Sequence, residues 1–89
     1  MKFMITERFY PDKVKALYQK LAKGGRMLPA GVNYIDSWID QDLSVCYQLM
    51  ESGSLGAIQE WADQWKEFGE FEIVQVITST EARAIALAT

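Results

Sequence analysis

The sequence predicts an α+β fold of strand–helix–strand–strand–helix–strand order with a short helix at its C-terminus. Three observations carry this. Apolar residues alternate with polar ones at the N-terminus, as a strand with one buried face requires. Two later stretches repeat apolar residues at helical spacing. Between these segments lie clusters of Gly, Pro, Ser and Asp, the residues that turns select. Eighty-nine residues is the size of a single domain, assigned here to 1–89.

Each element follows in chain order. Residues 2–9 read as a strand, with Phe3, Ile5 and Phe9 on one face and Met4, Thr6 and Arg8 on the other. Pro11 ends that strand and suits the first helical position, where its missing N–H costs nothing, and Asp12 complements the helix dipole. Val14, Leu17, Tyr18 and Leu21 then form an apolar stripe, and Gly24-Gly25 stops the helix by accepting a left-handed cap. Residues 26–31, with Pro29, form a loop. Residues 32–40 and 43–50 are strands rich in Val, Ile, Tyr, Trp and Leu, joined by the polar tip Asp40-Gln41-Asp42. The register of that hairpin is open, and a slip of one residue exchanges the two faces.

Ser54 is placed to cap a helix over 55–67, whose stripe is Leu55, Ile58, Trp61, Ala62 and Trp65. Gly69 breaks it, and Phe71, Ile73, Val74, Val76 and Ile77 supply the fourth strand. Thr78 and Glu81 have capping-box spacing for a last helix over roughly 80–88.

This order leaves one sheet face without helices. That face would carry Met4, Tyr34 or Ile35, Cys46 or Tyr47, and Val74. With 49% apolar residues, three Trp, four Tyr and four Phe, the chain has more apolar surface than one thin core hides. Pairing of two such sheets into a two-fold homodimer is the expected remedy.

Composition also excludes chemistries. The net charge of −3 and dispersed basic residues argue against a nucleic-acid partner. Lys13, Lys15, Lys20 and Lys23 read as a solvated helix face. Apolar runs fall short of the roughly 20 residues that span a bilayer, so no membrane partner is expected. The lone Cys46 permits no internal disulfide and suits a reducing compartment, so the expected location is the cytoplasm. With no histidine, Ser–His–Asp and Cys–His catalysis, imidazole-held haem and ordinary zinc sites fall away; no metal, cofactor or catalytic residue is assigned.

The remaining polar features read mostly as structure. Asp36, Asp40 and Asp42 lack the pattern of a calcium loop, and Glu67, Glu70 and Glu72 read as a solvated edge. Gly24-Gly25-Arg26 ends a helix rather than opening one, so it is not an anion cradle. Cys46, in an apolar strand, reads as a packed thiol. Glu51, after an apolar strand and before a helix, reads as a loop-ordering residue or a ligand-facing one. Trp38 divides between core and cavity lining.

Several segments together resemble a known family. They are Met1-Lys2-Phe3-Met4-Ile5, Gly24-Gly25 with Pro29-Ala30-Gly31-Val32, Trp38, Glu51, and Glu60-Trp61-Ala62-Asp63-Gln64-Trp65 followed by Phe71-Glu72. The chain resembles, over nearly its whole length, the short bacterial proteins grouped as domain of unknown function 3303. Glu60-Trp61 with Trp65 is the most distinctive element. The resemblance implies a ferredoxin-like protomer, two of which form a dimeric α/β barrel, and it implies no activity. The wider group mixes cofactor-free monooxygenases, haem-handling enzymes, isomerases and stress-response proteins. Relatives often place a histidine just after the tryptophan, where this chain has Ile39.

The leading functional expectation is a non-catalytic or regulatory homodimer holding a small apolar or aromatic ligand in a cavity between sheets. Its expected lining is Tyr34, Trp38, Cys46, Gln48 and Glu51. A cofactor-independent monooxygenase or isomerase is the alternative, with Tyr34 or Glu51 handling protons and Trp38 positioning an aromatic substrate. A structural module with a filled barrel is the third.

Overall fold

In the computed structural model, which describes residues 1–88, the first strand β1 (Lys2–Phe9) runs into a single 3-10 turn over Pro11–Lys13 and then helix α1 (Val14–Gly24). Strands β2 (Val32–Ile39) and β3 (Val45–Ser52) form a hairpin. Helix α2 (Leu55–Asp63), strand β4 (Gly69–Val76) and helix α3 (Ser79–Leu87) complete the chain. The four strands make one antiparallel sheet in the order β2-β3-β1-β4. Each βαβ connection thus spans one intervening strand, and α1 and α2 contribute to a core on the same sheet face.

Period-two alternation assigns the faces. Phe3, Ile5 and Phe9 of β1 point into the core with Met50 of β3, where they meet Leu17 of α1 and Ile58, Trp61 and Ala62 of α2. Full burial of Phe3, Ile5, Met50 and Ile58 contributes about 1.5–3 kcal/mol each. Trp61 meets Phe71 edge-on, with ring centroids 5.7 Å apart. The helix ends match the sequence signals. Gly25 takes φ 66° and returns its N–H to the carbonyl of Leu21. Ser54 caps α2 by accepting from the Ala57 N–H, and Thr78 and Glu81 form the reciprocal capping box of α3.

Two local features depart from the expected pattern. Helix α2 ends at Asp63 rather than 67, because residues 64–68 turn the chain toward β4. Gly69 is the first residue of that strand instead of a breaker. It pairs with Phe9, and a Cβ there would fall on the carbonyl of Arg8, so the two strands approach too closely for any side chain.

The second feature is a β-bulge between Tyr34 and Asp36. Tyr34 pairs with Met50 and Asp36 with Leu49, which leaves Ile35 as the extra residue. The bulge shifts the phase of β2 by one. Tyr34, Ser37 and Ile39 therefore share the helix-covered face, whereas Asp36 and Trp38 lie on the open one. The hydrogen-bonding contact of Tyr34 Oη with Ser37 Oγ at 2.6 Å reports this directly. Trp38 opposes Tyr47, which settles the hairpin register.

The open face carries Met4, Trp38, Tyr47, Leu49 and Val74, with Trp38 54% and Tyr47 42% exposed. Cys46 and Tyr34 belong to the covered face, so Tyr47, with Trp38 opposite it, stands on the open side. Helix α3 has no buried residue; Ile85 and Leu87 are exposed. Among the described residues no helix is long and apolar enough to cross a membrane.

Candidate functional site

A cavity of about 170 Å³ lies between the covered sheet face and the two packed helices. Its apolar wall comes from Phe9 of β1, Leu17 and Leu21 of α1, and Trp61 and Trp65. Those two tryptophans are one helical turn apart in sequence, and both indole N–H groups donate to the carbonyl of Arg26, at 2.9 and 3.1 Å. The loop after α1 is thereby tied to α2. Lys20 closes the same edge, donating to the carbonyl of Gln64 at 2.8 Å with its ammonium 4.7 Å from the Trp65 ring centre.

The sheet supplies the polar part. Glu7 occupies the strand phase of Phe3, Ile5 and Phe9, so its carboxylate enters the covered side and is only 4% exposed. Its Oε2 has no hydrogen-bond partner among the described residues. Burial raises its pKa from 4.5 to about 7, because a charged carboxylate loses hydration there without gaining a cation. Cys46 sits directly across the ladder from Glu7. Its thiol is pushed up to about 12, first by burial and then by the Glu7 charge, with Arg26 opposing. It is therefore a protonated, weakly reactive thiol. Gln48 opposes Ile5 in β1 and Ser37 in β2, and both Gln48 and Ser37 reach the cavity.

Arg26 lines another side. Its guanidinium stacks 3.7 Å from the centre of the Tyr34 ring, and Nη2 donates to Ser37 Oγ at 3.3 Å. Tyr18 of α1 completes the wall, its phenol pKa raised chiefly by burial and further by Cys46 and Glu7. The site thus offers an apolar slot, a buried carboxyl that exchanges a proton near neutrality, an amide, a hydroxyl and a thiol. Among the described residues no group of three His, Cys, Asp or Glu side chains is arranged to hold a metal ion.

The five residues expected from sequence fall in different places. Cys46 and Gln48 line the cavity. Tyr34 stands beside it, beneath Arg26 and joined to Ser37. Trp38 and Glu51 lie on the opposite sheet face, Glu51 paired with Lys2 and Asn33. The residues that sequence reading passed over are Glu7, Tyr18 and Arg26. Glu7 had a signal: it is the one charged residue in the apolar phase of the first strand, between Ile5 and Phe9. Arg26 had none, since its place depends on a loop folding back over β2.

Comparison with known proteins agrees with this architecture. The model of a family described as a domain of unknown function, DUF3303, matches residues 1–89. No curated protein matches the chain. Among solved structures, SCO4226 from Streptomyces coelicolor A3(2) is similar at 22% identity and a TM-score of 0.56, covering 89% of this chain and 99% of its own. An antibiotic biosynthesis monooxygenase is similar at 16% identity and a TM-score of 0.53, over 88% and 98%. At these identities the likeness is one of fold, the ferredoxin-like protomer expected from sequence. The chain belongs to the DUF3303 family.

Proposed function

We propose that this DUF3303 protein is a homodimeric binding protein that takes one small apolar or aromatic molecule into the cavity between sheet and helices. The observation that carries the reading is the cavity itself: about 170 Å³, walled by Leu17, Leu21, Trp61 and Trp65, with few polar groups. An apolar protein cavity of about 150 Å³ is large enough for benzene, so this one suits a single-ring ligand. Cys46 and Gln48 form its floor and Tyr34 supports Arg26 at its side. Trp38 and Glu51, on the other face, are assigned to the paired sheets instead. The dimer rests on the exposed Trp38, Tyr47 and Val74 and the half-buried Met4 and Leu49 between them, which a second sheet would cover. The role is non-catalytic or regulatory, and the buried free thiol of Cys46 fits a cytoplasmic location.

Titration of the purified protein with single-ring aromatics, followed calorimetrically, tests the binding reading. Saturable one-to-one binding per protomer is expected, and its absence across the panel would sink it. Native mass spectrometry tests the dimer; a monomer at micromolar concentration would overturn that part.

One observation favours a second reading, a cofactor-independent isomerase or monooxygenase. Glu7, inside the cavity, has a carboxyl raised by burial to about 7, as proton abstraction at neutral pH needs. Turnover of a single-ring carbonyl substrate that survives Glu7→Gln unchanged would remove it.

A further inference from the structure

Glu7 Oε2 is a buried polar atom with no partner among the described residues, and it belongs to a side chain lining the cavity. Buried polar groups in folded proteins are nearly always satisfied, so an orphan at a cavity wall points to what the cavity holds. The neighbouring groups do not serve it. From α1 the titratable group is Tyr18, from the following loop Arg26, and from β3 Cys46; α2 presents Trp61 and the turn after it Trp65, and β4 places Phe71 across the ladder. Arg26 is engaged with Tyr34 and Ser37, Trp61 and Trp65 donate to the Arg26 carbonyl, and Cys46 offers only a weak S–H donor.

We infer that the cavity selects neutral aromatic ligands of one ring that carry an O–H or N–H donor, and that this donor hydrogen-bonds to the Glu7 carboxyl. The inference rests on the binding reading above and names its ligand class. The ring would lie against the tryptophans and leucines, with its donor turned to the sheet. A hydrocarbon of equal size would fill the same space and leave the carboxyl oxygen unpaired, which is the costlier arrangement. A cationic amine is disfavoured because Arg26 already places a positive charge on the cavity wall. Burial raises the Glu7 carboxyl from an ordinary value near 4.5 toward neutrality, in keeping with a group to which Arg26, engaged with Tyr34 and Ser37, donates no hydrogen bond.

Phenol and toluene, nearly identical in size, separate the possibilities in calorimetric titrations of the full chain at pH 7. Phenol is expected to bind about tenfold more tightly than toluene. Glu7→Gln, which keeps hydrogen-bonding capacity, should retain a preference for phenol. Glu7→Leu should reverse the order, because its wall is apolar and of similar volume; such a substitution removes a buried charge and should not prevent folding. Equal affinity of wild type for both ligands, as when a water satisfies Glu7, would overturn the donor inference while leaving the binding reading standing. So would a phenol preference that persists in Glu7→Leu. Failure of both ligands to bind wild type would overturn the two together.

Discussion

The two faces of the sheet each depart from the usual distribution of polarity. The helix-covered face buries Glu7, Gln48 and Ser52 among Phe3, Ile5 and Met50, whereas the open face exposes Trp38, Tyr47 and Val74. Hydrophobic residues on a surface are unremarkable singly, but a buried polar group and a contiguous exposed apolar face both call for an explanation. Each face therefore indicates its own use. On the proposed reading, the unpartnered Glu7 oxygen in the core marks where a small molecule is received, and the apolar side chains left in solvent mark where another sheet would pack.

The sharpest way to break this comparison is a pair of tryptophan substitutions. Trp61→Ala should cost about 3–5 kcal/mol, since it empties the core beneath α2 and deprives the Arg26 carbonyl of a donor. Trp38→Ala should change monomer stability by only about 0.5 kcal/mol or less. Urea unfolding followed by circular dichroism, at concentrations dilute enough to keep the chain monomeric, measures both, and similar losses would contradict the assignment of faces.

Next in size is the pH dependence of Glu7. The folded chain holds this proton more tightly than the unfolded chain, so protonation stabilises the fold. That contribution is complete below pH 4.5, declines between 4.5 and about 7, and is absent above. A shift of this size corresponds to about 3 kcal/mol at most. Glu7→Gln should flatten the fall in unfolding free energy between pH 5 and pH 8; an unchanged slope would mean that another group carries it.

Gly69→Ala should cost about 1–3 kcal/mol, because a methyl group would press on the backbone of β1 at Arg8 and Phe9. Gly56→Ala, with open space around the position, is the control and should be neutral or slightly stabilising. The smallest effect is Thr78→Ala. It removes the cap of an exposed helix and should loosen α3 by about 1 kcal/mol, visible in hydrogen exchange of its amides but not in global unfolding.

The elements were legible in the sequence because their signals are local. Apolar period, the Gly24-Gly25 stop, the Ser54 cap and the Thr78–Glu81 box all act within one or two turns, and the element order follows from them. The faces of the hairpin were not legible, because one unpaired residue, Ile35, decides them. Nothing local marks that bulge, yet it sends Ser37 to the cavity and Trp38 to the open side. The site was legible only in part for the same reason. Cys46 and Gln48 follow the alternation of β3, but Arg26 arrives through a loop whose carbonyl is fixed by Trp61 of α2 and Trp65 of the turn after it. Glu7 was visible in the alternation of β1 and is the residue that strand periodicity alone identifies as misplaced unless it serves a purpose.

The three tryptophans make the central claim measurable in one experiment. Trp61 and Trp65 line the cavity and Trp38 stands on the opposite face, so each reports one region. In a nitrogen–proton correlation spectrum titrated with phenol, the indole signals of Trp61 and Trp65 should shift saturably while that of Trp38 stays in place. Shifts confined to Trp38, or no saturable shift at any of the three, would contradict the account.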